Sequence, residues 1–178
     1  MRSLLVNIKD IVGYQVLRVV MGISFVAITA QVQIPLQPVP ITLTTVGVLF
    51  IALYYEKKEA LQSIVGYIIL GGLGIQVFSG FTGGVPILFG PTGGYLFGMI
   101  LCAYIVTTLR NSFGEDSVLK LIIYSALGSI GLVVVGLIQL SLFVSADNVL
   151  VCGLYPFILP GVVKSVLTSI LIRFFRKI

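Results

Sequence analysis

Lys164 lies in the stretch YPFILPGVVKSVLTSILIRFF, where its immediate neighbours are almost all apolar. It follows Tyr155 by nine residues, which on a helix sets it roughly 13 Å further along the axis. A lysine at the centre of a membrane helix costs roughly 2.5 to 3.5 kcal/mol, and each Leu, Ile, Phe or Val offsets about 0.3 to 0.6. The segment can hold the charge, but an intramembrane cation calls for a partner. No Asp or Glu falls within any of the predicted spans given below. Two readings stand: a ligand brings the partner as a carboxylate or polar head, or the side chain snorkels to the outer interface.

Two further stretches carry polar groups among apolar ones. SGFTGGVPILFGPTGG (79–94) holds six glycines and two prolines, and irregular backbone at membrane depth persists only where protein buries it or it lines a cavity. Gly83, Gly84, Gly93 and Gly94 either open backbone N–H and C=O groups to a small polar ligand or allow close helix contact, as the four-residue spacing of Gly90, Gly94 and Gly98 also does. In PLQPVPITLTT, three prolines stiffen a loop ahead of Thr42, Thr44 and Thr45. A stiff loop loses little entropy on closing over a ligand, whereas the same hydroxyls can also bond back within their own helix.

Other chemistries lack their residues. The chain has no histidine, and Cys102 and Cys152 form no metal-binding pattern, so a metal site is not expected. GVVKS is not a phosphate loop, since no glycine directly precedes its lysine, and there is neither a nucleophile elbow nor a paired carboxylate. The reading is therefore not an enzyme, and no cofactor is expected. A net charge of +5 could suit nucleic acid, but the basic residues flank apolar stretches and form no stripe with interleaved aromatics.

The elements that must position these residues are membrane helices. The chain is 58% hydrophobic and 10% charged over 178 residues, outside the range of soluble domains. The expected fold is an all-α integral membrane protein forming one domain (1–178), with six spans at about 11–34, 41–55, 60–78, 91–109, 118–144 and 155–175. Arg2 and Lys9, Lys57 and Lys58, Arg110 and Lys120, and the terminal Arg173, Arg176 and Lys177 occupy alternate ends, and the other three connections have no Lys or Arg. The positive-inside rule then sets both termini in the cytoplasm. Arg18 is expected to snorkel to the inner interface. MRSLLVNIKD has no small-residue cleavage site and is expected to be retained.

QIPLQPVPITLTT, GYIILGGLGIQVFSGFTGG, GPTGGYLFG and YPFILPGVVKSVL together resemble the BioY family, the biotin-specific substrate-binding (S) subunits of energy-coupling-factor transporters. The resemblance runs from about the first span to Lys164. It implies a six-helix bundle in the bacterial plasma membrane that binds biotin near its outer face. It also implies a transmembrane coupling subunit and two cytoplasmic ATPase subunits as partners. Lys164 matches the lysine of the family pattern PF-x-P-G-D-x-x-K, while Gly161 stands at the aspartate position. Gly80 stands where some members carry Asn. Gln139, Asn148 or a loop carbonyl are candidates to replace the missing side chains. Phe78, Phe81, Tyr95 and Phe157 are expected as walls, and Thr82, Thr92 and the glycine backbone as hydrogen-bond groups. On the first helix, Gly22, Ala27 and Ala30 offer only a blurred small-residue face for docking the coupling subunit. Alternatives are an S subunit for another small vitamin and a self-sufficient membrane carrier.

Overall fold

The prolines at 35, 38 and 40 and the glycines of 71–94 divide the chain where regular hydrogen bonding cannot continue. The computed structural model describes residues 2–177, with side chains over 13–175. Helix α1 (Arg2–Gln31) ends just before the proline stretch, which forms a two-stranded antiparallel ribbon of β1 (Gln33–Ile34) and β2 (Ile41–Thr42). Next come α2 (Thr44–Tyr54) and α3 (Lys57–Gly72), separated by Tyr55 and Glu56. The chain then runs irregularly to the single turn α4 (Val85–Leu88), so α3 stops short of the predicted 60–78. Helix α5 (Gly93–Phe113) closes at Gly114, whose φ of 77° ends the helix at little steric cost. Helix α6 (Val118–Leu140) starts with the Ser117 hydroxyl accepting the Leu119 N–H. Two helices complete the chain, the short α7 (Ala146–Gly153) and α8 (Tyr155–Lys177). Neither the ribbon nor α4 and α7 figured among the predicted elements.

Helix α8 is apolar outside and polar inside. Lys164, Ser165, Thr168 and Ser169 are buried, while Leu159, Val162, Val163, Leu167 and Ile170 are exposed. Water would select the reverse, and a hydrocarbon surrounding selects this pattern. Each buried hydroxyl is satisfied one turn back: Ser165 on the Gly161 carbonyl, Thr168 on that of Lys164 and Ser169 on that of Ser165.

Glycines bring α5 and α6 into backbone contact. A Cβ on Gly98 would lie 2.5 Å from the Leu132 carbonyl oxygen, and one on Gly94 2.6 Å from that of Val135. Gly90, the third member of the predicted spacing, lies in the turn before α5 and does not extend this face. On α1, Gly22 and Ala30 are buried. Gly22 faces Ser63 of α3, so it packs within the bundle and is not part of an outward docking surface.

Among the described residues, four segments are long and apolar enough to cross a membrane: Gly13–Gln31, Gly93–Phe113, Val118–Leu140 and Ala146–Phe175. Helices α2 and α3, with 11 and 16 residues, are about 16 and 24 Å long at 1.5 Å per residue. Arg110 of α5 ties down the turn between them, donating to the carbonyls of Leu53 (2.6 Å) and Tyr55 (2.7 Å). At the same end, α3 starts at Lys57, which brings Glu59 into a helix as a buried carboxylate. Arg18 pairs with it at 3.0 Å and lies over the Tyr55 ring, so this side chain reaches an acidic partner and not just the interface. The ribbon and the glycine-rich turns occupy the other end.

Candidate functional site

Beneath the ribbon, between the N-terminal turns of α2 and α5, is a cavity of about 250 Å³. Six parts of the chain reach it. The ribbon contributes Val39, Pro40 and Thr42, and α2 contributes Thr44; Tyr67 comes from α3, and Phe78, Ser79 and Thr82 from the glycine-rich loop. Ile87 of α4 and Thr92, Tyr95, Leu96 and Met99 around α5 complete the lining. Apolar walls carrying a few hydroxyls are what a small amphipathic ligand needs. Three of the threonine hydroxyls are engaged. Those of Thr42 and Thr44 lie 2.7 Å apart, Thr82 donates to the Ser79 carbonyl at 2.9 Å, and Thr92 caps α5 without using its side chain. Tyr95 presents its ring to the cavity, while its hydroxyl donates to the Gly153 carbonyl at 2.9 Å. No charged residue is part of this lining.

Lys164 is 7% exposed and does not snorkel. Its ammonium donates to the carbonyl oxygen of Thr42 at 2.6 Å. The partner that the sequence lacked is thus a backbone group on the ribbon, one of the established ways of holding an intramembrane cation. Because Thr42 also lines the cavity, the cation lies one residue behind the wall.

The cavity brings together Thr42, Thr44, Thr82, Thr92 and Tyr95 of the predicted residues, together with the wall Phe78. Other predicted residues lie elsewhere for identifiable reasons. Phe81 points outward, 67% exposed, from a backbone held at φ 54°. Gly83 fits against the Ile75 carbonyl, and Gly84, at φ 109°, donates its N–H to the Gly71 carbonyl. Gly93 and Gly94 are buried in contacts with Leu88, Gln139 and Val135. Gln139 itself donates to the carbonyls of Leu88 (2.9 Å) and Gly90 (2.7 Å), holding the turn ahead of α5. Asn148 is exposed on α7 and donates to Ser145. Phe157 and Gly161 line a separate apolar cleft of about 410 Å³ between α6 and α8, with Phe157 also against the Tyr95 ring. That cleft is larger, but it offers a polar ligand few groups to anchor it.

Sequence reasoning missed Tyr67, Leu96 and Met99, which in an apolar helix look like any core residue. It also missed Gln31 and Gln33, although two amides flanking the start of the proline stretch were a visible signal. Gln31 donates to the carbonyls of Val77 and Phe78, both at 3.2 Å, and accepts the Phe81 N–H at 3.0 Å. Gln33 accepts the Ser79 hydroxyl.

Lipid-facing apolar helices around one hydroxyl-lined cavity define a helical membrane protein built to hold a small molecule. A model of the BioY family matches residues 2–178, and the chain belongs to that family. Membership sets it among transport proteins and not enzymes. It is 37% identical to a probable biotin transporter BioY of Pyrococcus horikoshii over 144 residues, covering 79% of this chain and 85% of that one. With the biotin transporter BioY of Thermotoga maritima it shares 32% identity over 162 residues, covering 87% and 91%. Its fold matches the crystal structure of the S-component for biotin from an ECF-type ABC transporter with a TM-score of 0.80 and 25% identity, over 95% of this chain and 94% of that one.

Proposed function

We propose that this protein captures biotin at the outer face of the bacterial plasma membrane as the S subunit of an ATP-driven energy-coupling-factor importer. The observation that carries the reading is the cavity under the ribbon, with its threonine and serine hydroxyls, its Tyr67, Phe78 and Tyr95 walls and Lys164 directly behind Thr42. Biotin combines a polar ureido ring, a thioether ring and a carboxylated tail, so it needs polar anchors at its ends and apolar walls between them. The names of the relatives support the same ligand. Binding uses Thr42, Thr44, Thr82, Thr92 and Tyr95, with Lys164 as the cation that a ligand acceptor recruits from the Thr42 carbonyl. The protein has no cofactor of its own. Transport energy comes from a transmembrane coupling subunit and two cytoplasmic ATPases. Six helices, α1, α2, α3, α5, α6 and α8, cross the membrane as a single domain, with both termini in the cytoplasm; the Lys and Arg residues at alternate ends support this orientation.

Calorimetric titration of biotin and its methyl ester into detergent-purified protein, wild type and Lys164→Ala, tests the reading. Tight binding of biotin by wild type is expected, weakened at least about tenfold by the substitution, as for loss of a charge-assisted hydrogen bond. If the ester also binds weakly, the lysine meets the carboxylate; if it binds like biotin, the lysine meets the ring. Folded wild-type protein that ignores biotin but binds another vitamin overturns the ligand assignment, and Gly80 and Gly161 are then the departures that changed it.

A further inference from the structure

The loop that walls the cavity with Phe78, Ser79 and Thr82 has little structure of its own. Its internal bonds are the paired backbone contacts of Phe78 and Thr82, at 3.0 and 3.3 Å, and the Thr82 hydroxyl on Ser79. Its base is anchored, because the Phe78 ring is buried against Tyr67 and occupies the space that a Cβ on Gly71 would fill. Its tip, Gly80 and Phe81, is exposed and has positive φ at both residues, a conformation that a bulky residue such as Phe81 does not adopt unaided.

Two glutamines from a distant part of the sequence grip this tip. Gln31, the last residue of α1, uses both ends of its amide. The nitrogen is shared among the carbonyls of Ala27 (3.0 Å), Val77 and Phe78 (3.2 Å each), and the oxygen accepts the N–H of Phe81 at 3.0 Å. A primary amide offers two N–H donors and a separate carbonyl acceptor on one planar group, and Asn would be one methylene shorter. Gln33, on β1, holds Ser79 next to the tip. Gln33 pairs across the ribbon with Thr42, whose carbonyl carries Lys164. A continuous set of bonds therefore runs from the cavity's loop through the ribbon to the last helix.

We propose that Gln31 and Gln33 form a clasp that holds the 77–82 loop closed as a wall of the cavity and so sets how slowly the ligand leaves; this rests on the binding reading of the cavity. They are positioning residues and are absent from its lining. A loop that is loosened but still present alters escape far more than encounter. The signature is a faster dissociation rate at a nearly constant association rate.

The test is stopped-flow or surface-plasmon kinetics of biotin on the full chain in nanodiscs, with hydrogen exchange at the Phe81 amide of the ligand-free protein. Gln31→Met is expected to raise the dissociation rate about tenfold, as for loss of one or two neutral hydrogen bonds, with association changed less than about threefold. Phe81 exchange should accelerate in the same variant. Ser79→Ala, which removes the cavity-lining hydroxyl that Gln33 holds, and Gln33→Met should each raise dissociation, and together no further than Ser79→Ala alone. Unchanged dissociation in Gln31→Met overturns the proposal. So does a parallel change in both rates with a fall in melting temperature, which would mark a role in folding alone. If wild type binds no biotin, the binding reading fails by itself, and Phe81 exchange still decides the clasp: faster exchange in Gln31→Met supports it and equal exchange refutes it.

Discussion

Lys164 shows how a single buried charge is held before any ligand arrives. Its bond to the Thr42 carbonyl ties the last helix to the ribbon, so the side chain serves the resting fold as well as the cavity. Lys164→Ala should therefore destabilise the ligand-free protein by about 1.5 to 3 kcal/mol, the worth of a hydrogen bond to a charged group. Thermal unfolding in detergent checks this, and an unchanged melting temperature would mean that the lysine acts only on ligand. The pair of Arg18 and Glu59 makes a second residue-level case at the opposite end. Arg18 keeps some access to solvent, so the full penalty for breaking a buried pair does not apply. Glu59→Gln is expected to cost about 1 to 3 kcal/mol, whereas Arg18→Met with Glu59→Met should recover most of the loss, because apolar replacement removes the uncompensated charge. A double variant less stable than Glu59→Gln alone would show that the cation's contacts with Tyr14 and Tyr55 matter more than the ion pair.

At the level of elements, the tightest joint is that of α5 with α6, and it depends on hydrogen atoms where side chains would otherwise be. Gly98→Val must push a branched side chain into the Leu132 backbone, which already leaves only 2.5 Å for a Cβ. Overpacking of this kind costs about 1 to 3 kcal/mol. Because α5 carries Thr92, Tyr95, Leu96 and Met99 into the cavity, weaker biotin binding should accompany the lower melting temperature. Stability lost with affinity intact would show that the cavity tolerates movement of α5. How much of this was legible follows from the physics. Apolar runs broken by EKKE and RNSFGEDSVLK expose helices such as α2, α5 and α6 directly, since burial in lipid imposes a compositional rule. The ribbon, α4 and α7 are too short to leave a periodic signal. The threonines were readable because hydroxyls are unusual among such neighbours. Tyr67 and Met99 were not, because a cavity wall and a helix contact call for the same residue types. The partner of Lys164 was unreadable for a different reason: every residue has a carbonyl, and only the fold selects the one at Thr42.

At the scale of the molecule, the question is which elements share a side of the membrane. Arg110 answers part of it, because its bonds to the carbonyls of Leu53 and Tyr55 fasten the turn between α2 and α3 to the far end of α5. Lys57 adds to the joint, donating to the Thr108 hydroxyl at 2.9 Å and lying over the Tyr104 ring. Residues 58 and 112 must therefore face the same compartment, even though α2 and α3 are short for a bilayer about 30 Å thick. Asn148, on α7, belongs to the opposite end. Single cysteines at Lys58, Ser112 and Asn148, all exposed positions, read this out in a Cys152→Ser background, with the buried Cys102 left in place. A membrane-impermeant maleimide applied to intact cells should label Asn148→Cys, and should reach Lys58→Cys and Ser112→Cys only after permeabilisation. The reverse pattern would invert the orientation while leaving the joint intact. Labelling of Lys58→Cys but not Ser112→Cys on intact cells would be the damaging result. It would mean that α2 and α3 enter and leave on one side, and the Arg110 bonds could not then form in the membrane.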